Sequence, residues 1–463
     1  MALSVLVAVT AAGCAAHRAR EVVALPDGWH ARNFEPVGYT EMGGHPAFKL
    51  AVHEKDGRWY LYATHFWRPG FSVIDVTDPA RPEVLGFVAD APNTYTFQVD
   101  LAEGLMVTSR EKPFLAGLGD PQADYAEGVA LWSIADPAKP QLLGEFRTGG
   151  GGTHRNFYGG GRYMHLSAAM PGYRGNIYVI VDISNPAAPV EAGRWWVPGQ
   201  HEAGGERFGS KADGEAIEPP DHTTHGHEAC GSDSDVHLHG PPYVVGERAY
   251  LPYGSAGLIV LDIQDVSRPR QVGRLDFSPP FHSKFGVHSV VPLPDKGLAY
   301  VCSESVEYAK GALHHASIVD ISEPRRPYLL SLLPEPAPPP GAPYRDYFEK
   351  GGWRGPHNFN QLQHNPDVEP QQGLLYLAHF NAGLRAYDVS NSRRPLEVGH
   401  FMPPEPRQRF GPLPIGKLAL QTEDVLVDRR GYVYISHKNQ GIWILRYTGE
   451  RPEAPAARSP ATP

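Results

Sequence analysis

Short runs in which apolar and polar residues alternate recur along the chain, and each run is cut by glycine, proline or aspartate. A period of two is the signature of half-buried β-strands, whose successive side chains point to opposite faces. The runs are also alike. FSVIDVTDPARPEVLGFV (71–88), VALWSIADPAKPQLLGEF (129–146), IYVIVDISNPAAPVEAGRW (177–195), LIVLDIQDVSRPRQVGRL (258–275), SIVDISEPRRPYLLSLL (317–333) and LRAYDVSNSRRPLEVGHF (384–401) share one plan. A β-branched strand leads into an Asp-x-Ser/Thr-like turn with proline, and a second strand near Val-Gly or Leu-Gly follows. Asp and Ser side chains bond nearby backbone N–H groups and proline fixes φ, so the reversal is reproducible. Upstream of most copies lies another alternating pair, such as GRWYLYATHF, GERAYLPYG, KGLAYVCSE, QGLLYLAHF and RGYVYISHK. The unit is therefore four strands.

Six such units are complete, and a seventh at 418–447 lacks its last strand. The missing strand is found at the other end, where Glu35-Pro36-Val37-Gly38-Tyr39-Thr40 matches the fourth-strand pattern. An amino-terminal strand that completes the last sheet closes a circular array and removes its free edge. The fold expected is all-β, a seven-bladed β-propeller of four-stranded blades; an open β-solenoid is the rival.

Composition narrows the picture. A chain of 463 residues ordinarily suggests about three domains of roughly 150 residues. Fifty glycines and 46 prolines argue against helices, and 41% hydrophobic with 10% aromatic residues argues against disorder. One repetitive domain over 33–448 fits better, followed by a disordered Pro/Ala-rich tail at 449–463. The net charge is −9 with acidic and basic residues interleaved, so no basic stripe marks a nucleic-acid partner.

Ile180-Val181-Asp182-Ile183-Ser184, Ile259-Val260-Leu261-Asp262-Ile263 and Ile318-Val319-Asp320-Ile321-Ser322 resemble the LVIVD repeat. The resemblance extends over nearly all of the chain after its first residues and implies a propeller of mostly unassigned activity. A fainter likeness, through 374–395 and the His/Cys cluster around 222–230, is to the selenium-binding protein/methanethiol oxidase propellers.

The start of the chain, MALSVLVAVTAAGCAA, is apolar, too short to span a bilayer comfortably, and ends in small residues. It reads as a signal peptide over 1–13. Ala11-Ala12-Gly13-Cys14 resembles the bacterial lipobox, in which the cysteine is lipidated, although no Lys or Arg precedes the apolar run and Ala replaces the usual Leu. The expectation is an exported, periplasmic or cell-surface protein, anchored to the membrane at Cys14 with 14–32 as tether. Cys230 and Cys302 make no disulfide framework and no zinc-ribbon spacing.

Twenty-two histidines stand out, because the repeat gives them positions. His154, His239, His288 and His357 begin the first strands of units three to six, where unit seven has Glu423 and Asp424. First strands line a propeller's channel, so these four are candidate ligands for a transition metal (copper, iron or zinc), with Glu423 or Asp424 as candidate base. His65, His379 and His437 end the second strands of units one, six and seven; with His237 they are candidate supporting residues, and the alternative is a role within the repeat's own hydrogen bonding. Phe66, Trp67, Tyr158, Tyr344, Trp353 and Phe380 are candidates for an apolar wall. Nucleophile elbows, phosphate loops and EF-hand loops are absent. Two function classes follow: a metal-dependent enzyme that oxidises or hydrolyses a small organic molecule, or a non-catalytic surface scaffold that binds protein or glycan through its loop face.

Overall fold

The computed structural model describes residues 25–113, 119–120, 122–207, 236–277, 280–281, 285–306 and 314–455. Seven four-stranded antiparallel sheets follow one another around a central axis. Blade one runs outward through Ala47–Lys55, Arg58–His65, Gly70–Asp75 and Glu83–Ala89. Blades two to five repeat this order from Val99–Ala102, Gly152–Phe157, Tyr243–Val245 and Phe285–Leu293 as their inner strands. Blade seven contributes Thr422–Val427, Tyr432–His437 and Gln440–Tyr447, and Phe34–Thr40 pairs with the last of these as its outer strand. The chain is thus closed by its amino-terminal strand.

Blade six departs from the plan. Its ladder consists of Leu374–Ala378, Leu384–Asp388 and Leu396–Met402, with His30–Arg32 added on the outside. Its inner segment around His357 to Asn360 is held by the Phe359–Leu377 bridge and by hydrogen bonds such as Ala378 N to Asn358 O, 2.8 Å. Residues 30–32, expected to belong to a tether, form this strand instead, and Trp29 already stacks on Phe401. Residues just past 448 are packed as well: Arg451 pairs with Glu369 at 2.8 Å.

The repeated turn forms as its composition dictates. Asp182 Oδ1 accepts from the Ser184 N–H and hydroxyl at 2.9 and 2.7 Å, and Asp320 and Asp388 do the same for Ser322 and Ser390. The core lies between blades, where the β-branched faces of adjacent sheets meet, as in the cluster of Leu131, Val179, Val181 and Leu166.

Candidate metal centre

Bulges aim the inner ring. In blades one, three, five and seven the pairing of first and second strand slips between Ala47 and Leu50, Thr153 and Arg155, Phe285 and Ser289, and Thr422 and Asp424. The slips fall on Phe48, His154, His288 and Glu423, and a bulge turns the unpaired residue out of the pleat. With Phe97, His239 and His357 from the remaining blades, these residues form a seven-membered ring across the channel. Successive ring centroids are 5.1 Å (Phe48–Phe97), 5.7 Å (Phe97–His154), 4.5 Å (His154–His239), 5.1 Å (His239–His288) and 4.7 Å (His288–His357). The four candidate imidazoles are together, on one side of the ring. Gly240 is needed beside them, since a Cβ there would meet His288 O at 1.6 Å.

All four histidines engage Nδ1 outward. His154 Nδ1 donates to Glu111 Oε2 at 2.7 Å, His288 Nδ1 to His357 O at 3.1 Å, and His357 Nδ1 to Glu423 O at 2.6 Å. His239 Nδ1 meets His237 Nε2 at 3.3 Å. Carbonyl and carboxylate oxygens only accept, so three of the rings carry their proton on Nδ1 and keep the Nε2 lone pair. Three Nε2 atoms converge on one carboxylate: Glu304 lies 3.0 Å from His239, 3.5 Å from His288 and 3.5 Å from His357. Burial pushes the imidazoles of His154, His239, His288 and His357 below their ordinary value and so keeps them neutral.

Glu304 has no precedent in the histidine pattern. Aligned on the residue opposite the turn aspartate (Tyr60–Asp75, Leu298–Asp320, Leu374–Asp388), His65, Ser303 and His379 share one position of the second strand. Phe66, Glu304 and Phe380 share the next, and the same register gives Lys438 in blade seven and Glu111 in blade two. Adjacent strand residues face opposite ways. The inward position is therefore one residue beyond the histidines. His65 instead bonds Pro46 O and Ser72 Oγ at 3.1 and 2.8 Å, and His437 bonds Thr422 Oγ1 at 3.2 Å. These two stitch strands within a blade. His379 lies at the rim and His237 behind His239.

The two candidate bases are committed to ion pairs. Lys438 Nζ lies 2.9 Å from Glu423 Oε1, and Lys49 Nζ lies 2.7 Å from Asp424 Oδ1, whose other oxygen accepts from Leu50 N at 3.0 Å. Burial raises both carboxyls above their ordinary value, and their lysines counter it only in part. Opposite the imidazoles, Phe48, Phe66, Tyr95, Phe97, Trp353, Phe380 and Leu413 pack into one cluster, with Trp67 against it. Phe380 stacks on His357 at 4.7 Å. Tyr158 and Tyr344 belong elsewhere, in the blade two–three core and beside Tyr347. Between the outer strand of blade three and the inner strand of blade four, His201 stacks on Tyr173 at 4.5 Å; His222, His225, His227 and Cys230 lie outside the described residues, as does Cys14. Cys302 is buried under the ring, its thiol donating to His357 O at 3.3 Å.

Comparison with known families now adds to the geometry. The profile of the LVIVD repeat matches residues 172–196, the third strand, turn and outer strand of blade three. That match sits within a fold whose other blades repeat the same strand and turn. The protein is a seven-bladed propeller that carries an LVIVD repeat. No curated protein sequence matches it. Solved structures similar to this LVIVD propeller include Saccharomyces cerevisiae Sqt1 (9% identity, 91% of this chain and 100% of that chain, TM-score 0.47). A protein from Lactobacillus plantarum aligns at 13% identity over 89% of this chain and 96% of its own, TM-score 0.46. A putative 6-phosphogluconolactonase from Bacteroides uniformis aligns at 12% identity over 74% and 83%, TM-score 0.44. At such scores these likenesses carry no argument about activity.

Proposed function

We propose that this LVIVD propeller is an exported metalloenzyme that acts on a small organic molecule with an apolar body. One observation carries the reading. A buried carboxylate, Glu304, is approached within 3.5 Å by Nε2 of three neutral imidazoles, two of which are fixed with their lone pairs inward. Lone pairs against a carboxylate repel, and a cation among them reverses the sign. Two donors each about 2.1 Å from one ion in tetrahedral array lie roughly 3.4 Å apart, which is close to the three separations found. His239, His288 and Glu304, whose donor atoms all lie within 4.8 Å of one another, would hold the ion, and His357 and His154 complete the wall. Glu111, His237 and the backbone carbonyls of His357 and Glu423 orient the rings from behind, the arrangement that tunes metal-bound histidines.

Nitrogen-rich donor sets of this kind suit iron, copper and zinc. Iron or copper would supply oxidation chemistry and zinc would supply hydrolysis. The aromatic half of the ring, Phe48 and Phe97 with Phe380, binds and orients an apolar substrate against the imidazole half and excludes water. Glu423 and Asp424, neutralised by Lys438 and Lys49, set the local charge rather than move protons. Metal analysis of untagged protein tests this reading. The expected result is bound transition metal, one equivalent of which His288→Ala and Glu304→Ala remove. Protein that takes up no metal on reconstitution, or retains it in both variants, overturns the reading.

The amino-terminal pattern supports export and lipidation at Cys14 as the second part of the proposal. Cell fractionation should recover the protein with membranes and its Cys14→Ala variant in the soluble fraction; equal distribution of the two would refute the anchor.

A further inference from the structure

A second group of metal-ligating side chains lies outside the ring, at the rim between blades five and six. His314 precedes the third strand of blade five (Ala316–Asp320), Glu335 lies just beyond that blade's outer strand (Tyr328–Leu332), and His379 follows the second strand of blade six. Each offers one donor atom, and the three atoms all lie within 4.8 Å of one another. His314 Nε2 is already 3.2 Å from Glu335 Oε1. His379 is 4% exposed, and its Nδ1 is buried without a hydrogen-bond partner. The Glu335 side chain is 63% exposed, so the group opens to solvent on one side.

We propose that His314, Glu335 and His379 form a second site, for a first-row divalent ion such as zinc. Two imidazoles and one carboxylate are a common donor set for such ions, and three protein donors leave further positions for water or an exogenous ligand. The His314–Glu335 separation of 3.2 Å already matches the roughly 3.4 Å expected of donors on one tetrahedral ion, and the other two are no more than 4.8 Å.

The backbone adds a reason for this placement. Phe380, a non-glycine residue, holds φ at 26°, and the turn around it is tied by Ala382 N to His379 O at 2.7 Å. Strain of this kind persists where the surroundings enforce it. Its effect is to send neighbouring side chains to different places, His379 to the rim and Phe380 onto His357. An ion at the rim therefore steadies the dipeptide that roofs the ring. The rim site stands on its own donors and does not depend on a metal in the ring.

Cobalt(II) is a suitable probe. Untagged full-length protein, stripped by chelator, is titrated with Co²⁺ and its bound metal measured by visible absorption and elemental analysis. Glu335→Gln, which alters only an exposed side chain, and His314→Ala should each bind one ion fewer than the wild type while melting normally without metal. His288→Ala should lose the other ion and keep the rim one. Wild-type cobalt content in both Glu335→Gln and His314→Ala overturns the rim site. Loss in those two variants with none in His288→Ala leaves the rim site standing and overturns the ring.

Discussion

At the scale of single residues, the ring histidines were legible because they recur at strand starts, while Glu304 was not. Its position in the other blades holds Phe66, Glu111, Ala169, Gly254, Phe380 and Lys438, so no repeated residue type flags it. The second-strand histidines were legible as a set, but they face away from the channel by a single step of strand alternation. Their burial has a consequence for stability. Desolvation lowers His65 to about 4 and His437 to about 3. Each is therefore neutral in the fold and takes up a proton near 6.5 when unfolded. The unfolded chain binds more protons below that value, so the stability these groups contribute is full above pH 6.5 and is lost as pH falls toward 4. Each accounts for about 1.4 kcal/mol per pH unit in that window. Urea unfolding of metal-free protein at pH 7 and pH 5 should show this loss, and His65→Gln should flatten the slope by about one histidine's share. An unchanged slope in that variant would refute the assignment.

At the scale of the element, the Val-Gly or Leu-Gly of the outer strand was legible as a repeated string, but its reason was not. Sequence shows the glycine; only the packed blades show what stands beside it. A Cβ on Gly193 would lie 1.9 Å from Val266 O, and on Gly273 2.0 Å from Pro324 O. Both contacts are with the turn of the following blade. In blades two, three, four and seven the repeat's glycine (Gly144, Gly193, Gly273 and Gly38) is thus the seat on which the next blade's turn rests, whereas Gly86 of blade one has no such neighbour. Bulges were likewise invisible, since a register slip leaves no mark on a pattern of alternating residues, yet they are what point His154 and His288 inward. Gly193→Ala should lower stability by about 2 kcal/mol through forced separation of blades three and four. Gly86→Ala is the matched control, because a Cβ there meets nothing within 4 Å. Thermal melting of the two variants should separate them clearly; equal losses would mean that backbone freedom, and not the blade contact, sets the requirement.

For the whole molecule, the number of blades and their closure were readable because each blade restates the same strand and turn. The fifth element of blade six was not, because His-Ala-Arg at 30–32 carries no trace of the repeat and pairs with a strand almost at the far end of the chain. The two amino-terminal strands do different jobs. Phe34–Thr40 supplies the outer strand of blade seven, pairing from Phe34–Tyr447 to Thr40–Ile442, and so joins the first and last blades. His30–Arg32 only covers the edge of Leu396–Met402. A chain beginning at Asn33 should therefore fold with a modestly lower melting temperature and retain any bound metal. A chain beginning at Glu41 leaves the closing sheet open and should lose cooperative melting, since the ring that gathers His154 through Glu423 needs all seven blades in place. Comparable melting of the two truncations would show that closure comes from packing between the blades and not from the shared sheet.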